Sequence, residues 1–406
     1  MGCYMKYFLV LLLSLFLTQA YATDKPRYNL YIDADFSNTL ESSESIERGF
    51  QTAFSEAGDE LPVELKLVRV DHRGNSRRSL KNLKKFTQDD TALAVITGLH
   101  SPPVLSNLTF INEQQILTLG PWAAAGPITR RTNKKGENWV FRLSVDDSKA
   151  GAFLVEEAIK QGFKRPYLLL EDTGWGKSNF NNINGALERS QLVNAGVSWF
   201  NWSLGLNSAK NVVRQAYSSG ADVIFLVANT PEGVTLTQAM LSFDLSERLP
   251  VRSHWGITGG DYANIISAEE RAGLDLQFIQ TRFSFLSTPL SQLGQQVLAQ
   301  VIESYPDVEQ AEHIKAPTGF VHGYDLGKIL LAALKQTNLT GNIKPDRLAL
   351  KNSLENLSGP IPGLIKTYQR PFTVYAEATP DAHEALGHDD LALGYFGPNN
   401  EILLIR

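Results

Sequence analysis

Residues 92–131 read ALAVITGLHSPPVLSNLTFINEQQILTLGPWAAAGPITRR, and this stretch decides the fold class. It begins with an apolar run, Ala92–Thr97, of the kind found in a strand that is buried on both faces of a parallel sheet. A helix over Val104–Asn112 and a second strand over Gln115–Leu119 follow. The stretch therefore predicts a strand–helix–strand unit of an α/β protein.

Both predicted strands run into loops that are rich in glycine and proline, residues 98–103 and 120–127. One polar or large side chain stands in each loop, His100 in the first and Trp122 in the second. Ligands of open parallel sheets sit beyond the carboxyl ends of the strands. We therefore interpret the two loops as one wall of a binding cleft, with two ordinary strand–helix loops as the alternative.

The same alternation of strands and helices extends outward from this stretch. It is preceded by a strand over Arg27–Ala34 and an amphipathic helix over Ser45–Ala57. It resumes with a strand over Tyr167–Leu170, a helix over Ser178–Ala195 and a strand over Val223–Val227. Two such runs predict an α/β fold with two parallel-sheet lobes.

The first residues have the pattern of a secretory signal peptide. A lysine precedes the apolar run Tyr7–Leu17, and Ala20–Ala22 is a small-x-small cleavage site. We expect cleavage near Ala22, loss of residues 1–22 and export to the periplasm. Cys3 is the only cysteine, so the mature chain would hold neither a disulfide nor a catalytic thiol.

Composition argues against several function classes. The formal net charge is −5 and both signs are mixed along the chain, so we expect no nucleic-acid partner and no anionic-membrane surface. The segment Gly174–Ser178 ends like a phosphate-binding loop, but Glu171 occupies the position of the required first glycine.

A second motif also falls short. His383 and His388 miss the zinc-protease spacing by one residue, and we interpret Glu384 and the neighbouring Asp389–Asp390 as a solvated turn. We therefore predict no catalytic residue, no metal site and no cofactor, and hence a protein that is not an enzyme.

Six short segments, taken in order, carry a family resemblance over nearly the whole chain. They are Arg48–Phe50, Leu67–Asp71, which fits less specifically, Val95–Gly98, Leu117–Pro127, Trp139–Leu143 and Ser219–Phe225. Their order and spacing resemble the type I periplasmic binding proteins. Within that fold they are similar to the branch that includes leucine/isoleucine/valine- and amide-binding receptors of ABC importers.

The resemblance implies a monomeric clamp of two Rossmann-like parallel-sheet lobes joined by a three-strand hinge. Residues 1–22 would be the signal peptide, 23–140 plus 275–375 the first lobe, and 141–274 plus 376–406 the second. The chain would cross between lobes near Asn133–Ser144, near Trp255–Gln277 and in the carboxyl-terminal tail. A small ligand that touches both lobes would favour the closed form.

Carried over by position, the resemblance also implies which residues line the cleft. The first lobe offers Phe36, Ser37, His100, Ser101, Trp122, Ala123 and Ala124. The second lobe offers Trp175, Asn229, Trp255, Thr258 and Asp261.

Several of these positions depart from those of amino-acid-binding relatives. Pro102 and Pro103 remove two N–H donors from the helix start that would hold a carboxylate. The next loop has Ala124 where those relatives have a threonine, and Thr258 stands near the position of their acidic residue, with Asp261 the nearest carboxylate. We therefore expect a ligand other than a leucine-type amino acid.

Aromatic residues replace the missing polar groups. Trp122, Trp175 and Trp255 fall on three different cleft loops, and facing indole rings suit a flat ring or a cationic head group. The alternative is that one or more of them packs within its own lobe. The predicted function is periplasmic solute binding for an ABC permease, with a ligand-sensing subunit that docks on a membrane receptor as the alternative.

Overall fold

The structure is a computed structural model, and it describes residues 25–405. The predicted signal peptide and Cys3 lie outside these described residues. Among the helices of the described part, none has the length and apolarity needed to cross a membrane.

The first lobe is built on a five-stranded sheet, sheet A, in which every neighbouring pair is parallel. Its strand order is β2-β1-β3-β4-β5. The strands are β1 (Arg27–Ala34), β2 (Glu64–Asp71), β3 (Ala92–Thr97), β4 (Thr118–Gly120) and β5 (Val140–Arg142). All six residues of β3 are buried, as the apolar run predicts.

The second lobe is built on a seven-stranded sheet, sheet B, in the order β14-β13-β10-β9-β8-β6-β7. Strands β6 to β10 pair in parallel, whereas β13 and β14 are antiparallel. The strands are β6 (Pro166–Glu171), β7 (Gly196–Phe200), β8 (Val223–Val227), β9 (Val251–Ser253), β10 (Leu276–Thr281), β13 (Leu391–Phe396) and β14 (Ile402–Leu404). A separate hairpin pairs β11 (Pro360–Pro362) with β12 (Thr367–Gln369).

Twelve α-helices of the described residues cover the two sheets. They are α1 (Leu40–Ala57), α2 (Ser76–Phe86), α3 (Ser101–Glu113), α4 (Asp147–Lys160), α5 (Gly174–Arg189), α6 (Leu206–Ser218), α7 (Thr230–Leu241), α8 (Tyr262–Ile265), α9 (Ala268–Ala272), α10 (Gln292–Ser304), α11 (Pro317–Lys335) and α12 (Ile343–Glu355).

Glycine lets α1 and α11 approach closely. A Cβ atom at Gly49 would lie 2.3 Å from the carbonyl oxygen of Phe320, and one at Gly323 would lie 2.4 Å from the carbonyl oxygen of Ile46. Any side chain at either position would push the helices apart. The pair thereby brings the buried start of α11 close to the loops of sheet A.

The chain passes between the sheets three times, but the second crossing differs from the prediction. Because β9 and β10 pair with each other in sheet B, the segment Trp255–Gln277 does not cross. The predicted boundary at residue 275 is therefore wrong for β10, and the crossing follows Thr281. The other two crossings lie between β5 and α4 and between β12 and β13. The remaining lobe boundaries stay a proposal.

Candidate functional site

The carboxyl ends of the strands of both sheets meet, and the loops that follow them are in contact. The backbone N–H of Gly126 donates to Ser178 Oγ of the second lobe at 3.1 Å. Gly259 of the second lobe packs so tightly on Leu99 of the first that a Cβ atom would lie 2.5 Å from it. The two lobes are therefore closed on one another.

Five buried aromatic rings form a continuous row across this junction, which we call the aromatic row. The ring centroids of Trp175 and His254 are 5.0 Å apart, and those of His254 and Trp255 are 5.2 Å apart. The row continues from Trp255 to His322 at 5.7 Å and from His322 to Trp122 at 6.5 Å. No ring of the row is more than 5% exposed. The three predicted tryptophans thus lie in one group, joined by two histidines.

Local structure fixes the two tryptophans at the ends of the aromatic row, Trp175 and Trp122. Trp175 stands in the first turn of α5, whose N-cap residue Thr173 accepts a hydrogen bond from the Gly176 N–H. Trp122 lies in the loop after β4 and packs on α11 at Gly319, where a Cβ atom would lie 2.8 Å from the indole. A larger residue at either glycine would displace a ring or the helix start.

A buried carboxylate, that of Asp147, closes one end of the aromatic row. Its Oδ1 accepts a hydrogen bond from Trp175 Nε1 at 3.3 Å and lies 3.2 Å from His254 Nε2. The histidine nitrogen is not in hydrogen-bond geometry. Asp147 is fully buried at the start of α4.

Six polar atoms of this group have no hydrogen-bond partner within residues 25–405. They are Oδ2 of Asp147, Nε1 of Trp122, and both ring nitrogens of His254 and of His322. A buried polar atom without a partner costs about 1–3 kcal/mol, so such atoms are few in native interiors. Their concentration at the junction of two lobes indicates a site that a bound molecule would satisfy.

His322 keeps the middle of the aromatic row uncharged. Burial lowers its pKa to about 3, and the nearby Pro121 backbone acts in the opposite direction. The ring is therefore neutral at pH 7, and one nitrogen can donate while the other accepts. The carboxyl group of Asp147 lies at one end of the aromatic row, beside Trp175 and His254.

A second set of residues meets farther along the junction, and we call it the mouth group. The rings of His100 and Trp202 lie 5.3 Å apart, and His72 lies 6.2 Å from His100. Trp202 Nε1 donates to Glu171 Oε1 at 2.6 Å. His100 Nε2 also approaches Asp35 Oδ2, at 3.5 Å.

Glu171 links the predicted residue Asn229 to the mouth group. Its Oε2 accepts from the backbone N–H of Asn229 at 3.2 Å and from Asn229 Nδ2 at 2.8 Å. Burial raises the pKa of Glu171, while the hydrogen bond from Trp202 acts in the opposite direction. Asn229 is therefore held by its own lobe.

A third set, the hinge group, lies beside two of the crossings. Arg142 Nη2 contacts Asp146 Oδ2 at 2.6 Å and Glu384 Oε1 at 2.7 Å, and Lys149 Nζ contacts Glu384 Oε2 at 2.8 Å. The side chains of Arg142, Asp146 and Glu384 are fully buried. The interpretation of Glu384 as part of a solvated turn is therefore wrong, because Arg142 and Thr129 bind its carboxylate.

The hinge group also holds the first-lobe loop that contains Ala123 and Ala124. Arg142 Nη1 donates to the carbonyl oxygens of Ala124 and Ala125, each at 2.9 Å. Ser101 Oγ accepts from the Ala125 N–H at 3.2 Å. The loop therefore presents Trp122 from a backbone that is fixed on both sides.

Four predicted site residues lie outside the aromatic row, the mouth group and the loop that the hinge group holds. Phe36 is half-buried under Arg69, and Ser37 is exposed and donates to Asp71 at 2.5 Å. Thr258 is buried, and its hydroxyl donates to the Trp255 carbonyl at 2.7 Å. Thr258 and the exposed Asp261 line a separate cavity of about 320 Å³ that both lobes bound.

Trp202, Asp147, His254 and His322 are not among the site residues predicted from the sequence. Trp202 lies just after β7, which ends at Phe200, and Asp147 is the first residue of α4. His254 directly precedes the predicted Trp255, so the end of β9 carried a usable signal. His322 lies among apolar residues of α11, where a histidine gives no functional pattern.

Comparisons with known proteins match this architecture. A family model described as "Periplasmic binding protein" matches residues 34–373. No curated protein matches the chain. Among solved structures, a periplasmic binding protein type 1 from Bordetella pertussis Tohama I is 15% identical with a TM-score of 0.75, over 94% of this chain and 100% of that one.

Two further structures are similar to the chain. A possible leucine/isoleucine/valine-binding protein from Rhodopirellula baltica SH 1 is 16% identical with a TM-score of 0.75, over 95% of this chain and 98% of that one. An ABC transporter solute-binding protein from R. palustris, in complex with benzoate, is 16% identical with a TM-score of 0.72, over 93% and 95%. These likenesses establish the fold.

Proposed function

Because the chain belongs to the periplasmic binding protein family, we propose that it binds one small solute between its lobes and delivers it to an ABC importer from the periplasm. The observation that carries this proposal is the set of unpaired polar atoms on the buried aromatic row. A ligand drives closure only if it contacts both lobes. A binding protein therefore needs free hydrogen-bonding groups at the junction of its lobes. The aromatic row meets this need with Trp122 and His322 from the first lobe and Trp175 and His254 from the second.

The chemistry of the aromatic row favours a flat molecule with a hydrogen-bond donor or a positive charge at one end. Five rings supply flat apolar surface, and Asp147 Oδ2 supplies a hydrogen-bond acceptor that has no partner among the described residues. An ammonium or guanidinium group there would gain cation–π contact of roughly 0.5–2 kcal/mol as well as the charged hydrogen bond. The benzoate of the R. palustris protein is an anion, which Asp147 would disfavour.

The solute can be identified directly. Protein purified in its native state is denatured, and the small molecules that it releases are analysed by mass spectrometry. The released compound is then titrated back into protein from which it has been removed. A cell that lacks the gene should also lose uptake of that compound, which tests delivery apart from binding.

Substitution of the tryptophans tests the site itself. Trp122→Ala or Trp175→Ala should weaken binding of the released compound by roughly tenfold or more, the loss expected of a desolvated aromatic contact. Trp199→Ala is the matched control, because Trp199 lies on β7 with 39% of its surface exposed. Unchanged titrations in both cleft variants would contradict the proposed site, even if the protein binds the compound.

A further inference from the structure

Trp202 joins the two lobes at the end of the junction that lies farthest from the crossings. It follows β7, an edge strand of sheet B, and it contacts the turn after β2, an edge strand of sheet A. The crossings leave from β5, β10 and β12 and so enter at the opposite side of both sheets. When the lobes rotate apart about the crossings, this end of the junction moves farthest. A contact at this end is therefore broken early in opening and stabilises the closed form.

The second lobe holds Trp202 in position from two sides. Its indole N–H donates to the buried Glu171 at 2.6 Å, and Glu171 is itself fixed by Asn229. The next residue, Ser203, has a φ of 62° and donates its backbone N–H to Glu232 Oε1 at 2.8 Å. A non-glycine residue in this conformation is strained, and the bond to Glu232 compensates for that strain.

On the first lobe, the indole of Trp202 packs in a seat formed by Gly74 and His100. A residue larger than glycine at position 74 would occupy the space that the indole fills. A Cβ atom at Gly74 would lie 2.9 Å from Trp202 Cζ3, and the φ of Gly74 is 67°, a value that favours glycine. His100 closes the other side of the seat, with His72 behind it. Trp202 therefore belongs to one lobe by its hydrogen bond and to the other by its ring contacts.

We propose that Trp202 is a latch residue, a second-lobe side chain that seats between Gly74 and His100 of the first lobe and stabilises the closed arrangement. The latch acts on the balance between open and closed forms and does not depend on which solute binds. It is a positioning residue, because the aromatic row lies elsewhere in the junction. Its role goes beyond solute binding, since it affects the fraction of closed molecules when no solute is bound.

Small-angle X-ray scattering of the mature chain, without added solute, tests the latch. Trp202→Ala should raise the radius of gyration, because losing the ring contacts of this half-buried indole shifts the ratio of closed to open forms by roughly two- to tenfold. Trp199→Ala, which removes an exposed indole that packs on Phe180 of its own lobe, should scatter like the wild type. Coincident profiles for wild type and Trp202→Ala would overturn the proposal, including the case in which both are open.

Two further variants guard against a folding defect. Trp202→Phe keeps a flat ring but loses the donor to Glu171, so its radius of gyration should be intermediate. Gly74→Ala pushes on the indole from the opposite lobe and should also open the molecule. If Trp202→Ala loses its far-ultraviolet circular dichroism signal, the test rests on Gly74→Ala. A scattering profile of Gly74→Ala that matches the wild type then overturns the latch. Because no solute is present, failure here leaves the proposed transport function standing.

Discussion

Asp146 and Asp147 are adjacent and fully buried at the start of the same helix, yet they belong to two different kinds of site. Asp146 is saturated, since it accepts hydrogen bonds from Arg142 and from the backbone of Ser148 and also forms an ion pair with Arg130. Asp147 keeps one oxygen without a partner within the described residues. Asp146 is thus a structural carboxyl group of the hinge, whereas Asp147 keeps an oxygen that a solute could bind.

The same contrast holds for the groups around these two carboxylates. In the hinge group, a cation contacts each carboxylate oxygen of Glu384. Burial alone would raise the pKa of Asp146, but the charge of Arg142 outweighs it, and the pKa falls to about 2. In the aromatic row, three of the five rings, those of Trp122, His254 and His322, carry a nitrogen that has no hydrogen-bond partner among the described residues. Burial is therefore no guide to function here, whereas hydrogen-bond saturation is.

The largest effect should come from breaking the hinge group. Arg142→Met removes the fully buried cation that Asp146 and Glu384 share and leaves these carboxylates to the partly exposed Arg130 and Lys149. Removing one partner of a buried pair costs about 3–5 kcal/mol. Urea unfolding of the mature chain measures the change. The matched control is Arg27→Met, whose pair with Glu64 is exposed and should contribute no more than about 1 kcal/mol. Equal losses in the two variants would show that burial of the hinge pair has no special weight.

The second effect concerns the charge state of the aromatic row. The folded pKa of His322, about 3, lies below the unfolded value of 6.5, so the unfolded chain binds the extra proton first as pH falls. The stability contributed by neutral His322 is complete above pH 6.5 and is lost toward pH 3. By linkage the loss is roughly 3 kcal/mol between pH 6.5 and 4, at about 1.36 kcal/mol per unit.

His322→Gln isolates this contribution from opposing ones. Burial raises the pKa of Asp33 and of Asp325 to about 6, so their contributions change in the other direction, and stability gained from them is lost as pH rises through that range. Unfolding free energies are therefore compared between wild type and variant at each pH. The difference should shrink steadily from pH 6.5 to 4, and a constant difference would mean that His322 is not a neutral buried ring.

Much of the architecture could be predicted from the sequence because the signal is local and repeated. The apolar run of β3 is buried throughout, and the alternation of strands and helices gave two parallel-sheet lobes. The second crossing was placed too early, because a strand that ends a lobe looks like any other strand. Only its pairing with β9 assigns β10 to sheet B.

The candidate site was predicted only in part, because some of its residues are brought together from distant parts of the chain. Tryptophans in loops after strands are visible in a sequence, so Trp122, Trp175 and Trp255 could be proposed. His322 comes from a helix that is far along the chain, and nothing in its apolar surroundings marks it. Glu384 shows the reverse error, since a charged turn gives no sign that a distant Arg142 will bury it.

The most specific test separates the adjacent aspartates by what each variant loses. Asp147→Asn should weaken binding of the co-purified compound by about tenfold to a hundredfold, since a hydrogen bond to a charged group contributes roughly 1.5–3 kcal/mol. Its urea midpoint should stay near that of wild type, because Asp147 Oδ2 has no partner to lose among residues 25–405. Asp146→Asn should instead lower the unfolding free energy by about 1–2 kcal/mol, because it weakens both a helix cap and the pair with Arg142. If both variants lose stability alike and neither changes the titration, unpaired oxygens do not mark the solute site in this protein, and the division between hinge group and aromatic row fails with it.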